Sequence, residues 1–243
     1  EDMNKIHPTW MTAVPRLWEG VRTAVYRNMN KEGGFKKAIF SFFIGVGGLQ
    51  SYFKTQFRGL LPNFSRRSRV VDVAVSVIPL IILTPLRGLG HVLVYRKVKE
   101  LFGGKFKVGV SGGGALPPHV DKFYQAIGIL VLEGYGLTET SPILSVREEK
   151  HPVPGTVGRF LPDIQHKVID DNGKEVKPGH KGILWVKSEQ VMVGYYKKPE
   201  ETEKVLKDGW LNTGDIVMLT YNDEIKIIGR AKDTIVLLGG ENV

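Results

Sequence analysis

Residues 106–140 read FKVGVSGGGALPPHVDKFYQAIGILVLEGYGLTET. Phe106, Val108 and Val110 alternate as in a half-buried strand. Ser111-Gly112-Gly113-Gly114 follows as a turn that exposes its backbone. Pro117-Pro118 opens a helix, since proline suits a first helical turn, and Val120, Phe123, Tyr124 and Ile127 lie along one face of it. Ile129 to Leu132 is a short apolar strand. A strand–turn–helix–strand unit belongs to an α/β sheet. Gly134-Tyr135-Gly136-Leu137-Thr138-Glu139-Thr140 then falls at a strand's carboxyl end, where open α/β sheets bind ligands. Its glycines allow close backbone approach, and Tyr135 offers a flat face for a ring. Thr138 offers a hydroxyl suited to phosphate, and Glu139 a hard oxygen suited to Mg²⁺. An ordinary capped loop has the same residue types, so this stretch alone leaves both readings open.

The flanks differ from each other. Upstream, Pro15 to Met29 predicts a helix with Leu17, Val21, Val25 and Met29 on one side, ended by Gly33-Gly34. The region to Phe102 reads as mostly helical. Downstream of Pro154 come short predicted strands at Gln165–Ile169, Ile183–Lys187, Ile216–Thr220, Glu224–Ile228 and Thr234–Leu238, with a short helix from Pro199 to Leu206. This part resembles a small barrel or sandwich.

Composition narrows the function classes. The 243 residues are 42% apolar and 24% charged, the balance of a folded soluble protein. With no Cys, disulfides, thiolate zinc sites, iron–sulfur clusters and a Cys nucleophile are excluded. The net charge of +9 is uneven: residues 1–107 hold 18 Lys+Arg against 6 Asp+Glu, while residues 108–243 hold 16 against 19. The first part therefore favours an anionic partner. Its tightest basic cluster, Arg66-Arg67-Ser68-Arg69, precedes VVDVAVSVIPLIILTPL at Val70–Leu86. That run is short of the roughly 20 apolar residues of a spanning helix. Pro79 would break or kink a helix there. A buried core segment and a membrane-dipping segment both fit, and an anionic leaflet would attract the cluster beside it. No nucleic-acid reader motif accompanies the charge.

The decisive signal is an ordered series. Ser111-Gly-Gly-Gly-Ala-Leu-Pro117, Gly134-Tyr-Gly-Leu-Thr-Glu139 and Gly155-Thr-Val-Gly-Arg159 come first. Gly194-Tyr195-Tyr196, Gly209-Trp-Leu-Asn-Thr-Gly-Asp215 and Gly229-Arg-Ala-Lys-Asp233 with Gly239-Gly-Glu-Asn242 complete it. The series resembles the adenylate-forming superfamily. Its basic helical region and Val14-Pro15-Arg16 are most similar to the long-chain fatty acid–CoA ligases.

That resemblance implies an α/β fold, part of the family's large N-terminal domain: an α/β core with a β-barrel-like subdomain, cut at the hinge to a small C-terminal domain. It divides the chain into a partial core at 1–152, a β-rich subdomain at 153–229 and the hinge with the start of the next domain at 230–243. It implies ATP-dependent activation of a fatty acid through an acyl-adenylate to a coenzyme A thioester, with Mg²⁺. Gly113, Gly114 and Ala115 would line the adenine and acyl pocket, and Gly134, Tyr135 and Gly136 would hold the adenine. Thr138 would touch the phosphates, Glu139 the Mg²⁺, Asp215 the ribose with Arg230 assisting, and Lys232 would be the hinge. The acyl chain would lie among the apolar helical elements before Ser111. A middle segment is expected, with the phosphate loop upstream and an activating lysine downstream, so the isolated chain should turn over poorly. The expected location is cytoplasmic, with an anionic membrane surface as a candidate partner. Gly182 is followed by Ile183 where the family commonly has Glu. Trp185 and Trp210 read as core.

Two rivals remain at this point. Gly109-Val110-Ser111-Gly112-Gly113 also fits the nucleophile elbow of serine hydrolases, with His166 and His180 as candidate bases. Against it, five residues separate Ser111 from the helix, where an elbow enters its helix at once. The other is a non-catalytic nucleotide-binding or membrane-apposed segment.

Overall fold

The computed structural model describes residues 2–231. Lys232, the predicted strand Thr234–Leu238 and the Gly239–Asn242 motif lie outside the described residues. The chain forms two compact units. Among the described residues, the first comprises 2–61, 67–135 and 147–155, and the second 62–66, 136–146 and 156–231.

The first unit begins with α1 (Asp2–Ile6), β1 (Trp10–Ala13), α2 (Pro15–Glu32) and α3 (Gly34–Arg58). Next comes α4 (Arg69–Gly90), which continues through a π-helical turn at His91–Tyr95 into α5 (Arg96–Glu100). β2 (Val108–Ser111), α6 (Pro118–Ile127) and β3 (Leu130–Gly136) close it. β1 pairs parallel with β2, Trp10 opposite Val108 and Ala13 opposite Ser111. β2 pairs parallel with β3, Val108 opposite Leu130. The predicted strand–turn–helix–strand unit is thus present, and β3 runs on through Gly134-Tyr135-Gly136. β1 was not legible, being four residues long and half exposed.

α2 buries Trp18 and Val25, while Leu17, expected inward, is exposed. Trp18 decides the rotation. Its ring lies over β2 where a Cβ on Gly109 would overlap it, and meets Tyr124 edge-on at 5.5 Å. Tyr124 donates its hydroxyl hydrogen to the Trp18 carbonyl at 2.8 Å. Phe40, Phe43, Tyr95, Phe102, Phe106 and Phe123 join this core.

α4 departs from expectation. It remains helical through Pro79 and Pro85. Each proline only deprives the carbonyl four residues earlier, Val75 or Ile81, of its donor. Nor is the segment core: only Asp72, Ser76 and Gly90 of α4 are buried. Among the described residues, the continuous helix Arg69–Glu100 is the one long and apolar enough to cross a membrane. The basic cluster beside it is partly consumed by folding. Arg67 pairs with Asp72 at 2.9 Å, and Arg69 donates to the carbonyls of Gln56 and Phe57. Gln56 also donates to Asp72 at 2.9 Å. These contacts pin the α3–α4 turn.

The second unit contains a 3₁₀ turn (Thr138–Thr140), β4 (Ile143–Val146) and β5 (Arg159–Phe160). β6 (Gln165–Ile169), β7 (Lys181–Lys187), α7 (Pro199–Val205), β8 (Leu206–Lys207), β9 (Trp210–Leu219) and β10 (Ile225–Arg230) follow. β4 and β5 are antiparallel. A sheet runs β10-β9-β7-β6, with β8 beside β9, every pair antiparallel. Val168, Leu184, Val186, Leu211, Val217 and Ile225 form its buried layer. Alternation along each strand supplies that face. Trp185 and Trp210 are half-buried, each with the Lys167 ammonium over its ring.

Candidate functional site: a charged cavity in the second unit

The segment after β3 folds back on itself. Leu137 N–H donates to the Pro142 carbonyl at 2.9 Å, and the Thr140 hydroxyl reaches the same carbonyl at 2.8 Å. Gly136 is required here, because a Cβ on it would collide with that carbonyl. The closed loop presents Thr138 exposed and Glu139 half-buried. Glu139 is held at both ends. Its carbonyl accepts the Met192 N–H at 2.8 Å, and its carboxylate accepts the Tyr195 hydroxyl at 2.8 Å. Burial, and secondly this bond to a carboxylate, push the Tyr195 phenol up, so it stays a neutral donor.

Glu139 and Tyr195 line a cavity of about 370 Å³ together with Leu137, Ile183, Leu211, Asn212, Thr213, Gly214, Lys204 and Arg230. One wall is an irregularity in β9. Asn212 accepts the Gly214 N–H at 2.9 Å, Thr213 accepts the Asp215 N–H at 3.1 Å, and the Gly214 carbonyl accepts the Ala231 N–H at 2.8 Å. Asp215 is buried behind this wall and accepts Arg230 Nε at 2.8 Å, while the Arg230 side chain is half exposed. The cavity therefore offers one carboxylate, two cations, a phenol, an amide and a hydroxyl over an apolar floor. That set suits a ligand combining a flat apolar ring with anionic groups.

Among the predicted site residues, Glu139 and Arg230 thus come together at one cavity, with Asp215 behind Arg230. Tyr195 was quoted in the motif series without a role, and its hydroxyl to Glu139 supplies one. The first unit holds Gly113, Gly114 and Ala115 exposed on the turn after β2, with Gly134 and Tyr135 partly buried on β3. That turn is anchored by a network the sequence did not reveal. Leu116 N–H donates to Glu133 Oε1 at 3.0 Å. Glu133 Oε2 pairs with Arg147 at 2.6 Å, and Arg147 also pairs with Asp121 at 3.1 Å, all three side chains being buried. The glycine turn and the strand leading into Gly134 are thereby joined through one carboxylate. Burial pushes Glu133 up, against the pull of Arg147 and the Leu116 N–H.

The hydrolase rival finds no support. Ser111 Oγ is buried without a hydrogen-bond partner, so no base is in reach of it. His166 stacks on Phe160 with ring centroids 4.0 Å apart.

Residues 1–196 match the AMP-binding enzyme family. The chain belongs to that family. It is an ATP-using family of AMP-forming ligases, and the fold expected from the motif series is that of its adenylate-forming members. The ATP-bound MatB of Rhodopseudomonas palustris superposes with a TM-score of 0.51 at 33% identity, covering 59% of this chain and 29% of that one. A long-chain-fatty-acid–[acyl-carrier-protein] ligase, AEE15 of Arabidopsis thaliana chloroplasts, is 34% identical across 100% of the chain and 36% of its own length. A long-chain-fatty-acid–CoA ligase of Haemophilus influenzae is 42% identical over 60% of the chain and 26% of its own length. The AMP-binding segment described here thus spans about a third of the length of such relatives.

Proposed function

We propose that, in a protein of the relatives' length, this segment handles the nucleotide in the activation of a long-chain fatty acid. The fatty carboxylate attacks the α-phosphate of ATP, forming acyl-adenylate and releasing pyrophosphate. A thiolate, that of coenzyme A, then attacks the acyl carbon and expels AMP. The observation carrying this reading is the cavity that brings Glu139, Tyr195 and Arg230 together from three separate motif segments.

Roles follow from what each group can do. Thr138 presents a hydroxyl to the phosphates, and the Asp215–Arg230 pair lies on the ribose side. Apolar Leu137 and Ile183 give a ring a surface to rest on. Mg²⁺ fits as a companion of the nucleotide. No group of three His, Asp or Glu that could hold a metal occurs among the described residues. Glu139 would therefore be a single protein ligand, with phosphate oxygens and water completing the shell, the usual manner of Mg²⁺ with nucleotides. When bound, the ion offsets charge on the transferring phosphoryl group. Tyr195 fixes the carboxylate that faces it.

The test is ATP–pyrophosphate exchange with a long-chain fatty acid, measured in a protein of the relatives' length. Glu139→Gln should lower exchange on the order of a hundredfold, the usual cost of removing one charge-stabilising group. Undiminished exchange would overturn the assignment. A second reading concerns only the acceptor. The relative named an acyl-carrier-protein ligase aligns with the whole chain, whereas the CoA ligase aligns with 60% of it. That favours a protein-borne thiol, and parallel assays with coenzyme A and acyl carrier protein separate the two.

A further inference from the structure

The helix from Arg69 to Glu100 turns its polar groups inward. Asp72 faces Gln56 and Arg67, and the Ser76 hydroxyl donates to the Asp72 carbonyl at 2.6 Å. Arg87 donates to the carbonyls of Gly47 at 2.9 Å and Gln125 at 3.3 Å. Between Val70 and Leu93, what remains outside is apolar apart from Thr84 and His91. Val71, Ile78, Ile81, Ile82, Leu89 and Val92 recur at helical spacing and are 57–69% exposed. His91 is the one ionisable side chain on the outward face between Val70 and Leu93. At the helix rise, that face is about 35 Å long. So long an exposed apolar surface is foreign to a solvated helix and marks an interaction site.

Both ends of the face are cationic. At one, Arg67 and Arg69 outnumber Asp72. At the other stand Arg96 and Lys97, both exposed, with Glu100 paired to Arg96. This arrangement disfavours a second copy. An antiparallel pairing would set Arg67 and Arg69 against Arg96 and Lys97, and a parallel one would set each end against itself. Either brings like charges together. Anionic headgroups complement both ends while acyl chains cover the middle.

Crossing the bilayer fits less well. A crossing segment would need lipid or helical partners all round, and here Asp72 and Arg87 on the inner side are bonded to Gln56, Gly47 and Gln125. The inner face is meanwhile occupied by protein. We propose that this face is a monotopic docking surface for an anionic lipid bilayer, with α4 lying in the plane of the interface. The proposal is independent of the acyl-activating reading, so either can fail alone.

The experiment is flotation of the 243-residue chain with vesicles of phosphatidylcholine, with and without phosphatidylglycerol. Wild type should float at least tenfold better with the anionic vesicles. Ile78→Asp with Ile82→Asp, at exposed positions, should abolish flotation with an unchanged urea midpoint. Lys97→Glu should reduce only the anionic preference. Should the double variant not fold, Ile81→Trp provides the second reading: its added indole fluorescence should be quenched by brominated acyl chains. Failure of wild type to float, flotation surviving the double substitution, or unquenched indole fluorescence in the Ile81→Trp variant would overturn the proposal. So would a wild-type dimer by light scattering that the double substitution makes monomeric, assigning the face to a second copy.

Discussion

The two units differ in where the cations that pair with their buried carboxylates lie. In the first, ions are inside: Arg147 is buried between Asp121 and Glu133, while α4 carries isoleucines outward. In the second, the buried carboxylates Asp215 and Glu224 pair with Arg230 and Arg159, whose side chains reach solvent, and Glu139, Lys204 and Arg230 stand at an open cavity. A buried ion that loses its partner keeps its desolvation cost, whereas a cavity-edge ion falls back on water. The same kind of substitution should therefore read as lost stability in one unit and as lost ligand affinity in the other.

The strongest challenge to this contrast is Arg147→Met. It leaves two carboxylates buried without a cation and should cost about 3–5 kcal/mol, read as a lower urea midpoint. The network also carries a pH signature. Because Glu133 is raised by burial, the native state holds its proton to higher pH than the unfolded chain does. Its contribution is complete in acid and is lost as pH climbs from the ordinary carboxylate range to the folded pKa. Glu133→Gln should flatten that part of the stability profile. Next in size, Gly136→Ala forces a methyl against the Pro142 carbonyl and should cost about 1–3 kcal/mol in the second unit, visible through Trp185 and Trp210 fluorescence. Tyr195→Phe should leave the urea midpoint within about 0.5 kcal/mol yet weaken Mg-nucleotide binding severalfold in calorimetry, since its bond to Glu139 is near the surface. The smallest effect belongs to Glu201→Gln, which removes an exposed pair with Lys204 and should shift stability by about 0.3 kcal/mol or less.

Local features were legible where a few residues determine them. Pro118 at the start of α6, the alternation of Gln165–Ile169 and the glycine punctuation all lie where the sequence places them. Failures came where distant residues decide. Leu17 yields the inward position to Trp18 because Gly109, far along the chain, leaves room for an indole. The prolines of α4 sit at half-buried and exposed positions, where each removes one helical donor and the helix continues past it. Arg67 and Arg69 read as a free cluster, yet Asp72 and the end of α3 claim them. Of the cavity's lining, Glu139 and Arg230 are residues the motif series singles out. The Tyr195 hydroxyl was not legible as a partner, since 56 residues separate it from the carboxylate it serves. Nor was Arg147, whose two acidic partners carry no spacing signature.

The closed loop from Leu137 to Pro142 has one more consequence. Its backbone and the Glu139 side chain are fixed by bonds made during folding, to Pro142, Met192 and Tyr195. The ordering entropy of that carboxylate is therefore already spent before any ligand arrives. On the proposed reading, a Mg-nucleotide would meet a carboxylate already oriented by Tyr195, while the exposed Lys204 and half-exposed Arg230 at the same cavity would supply the adjustable contacts.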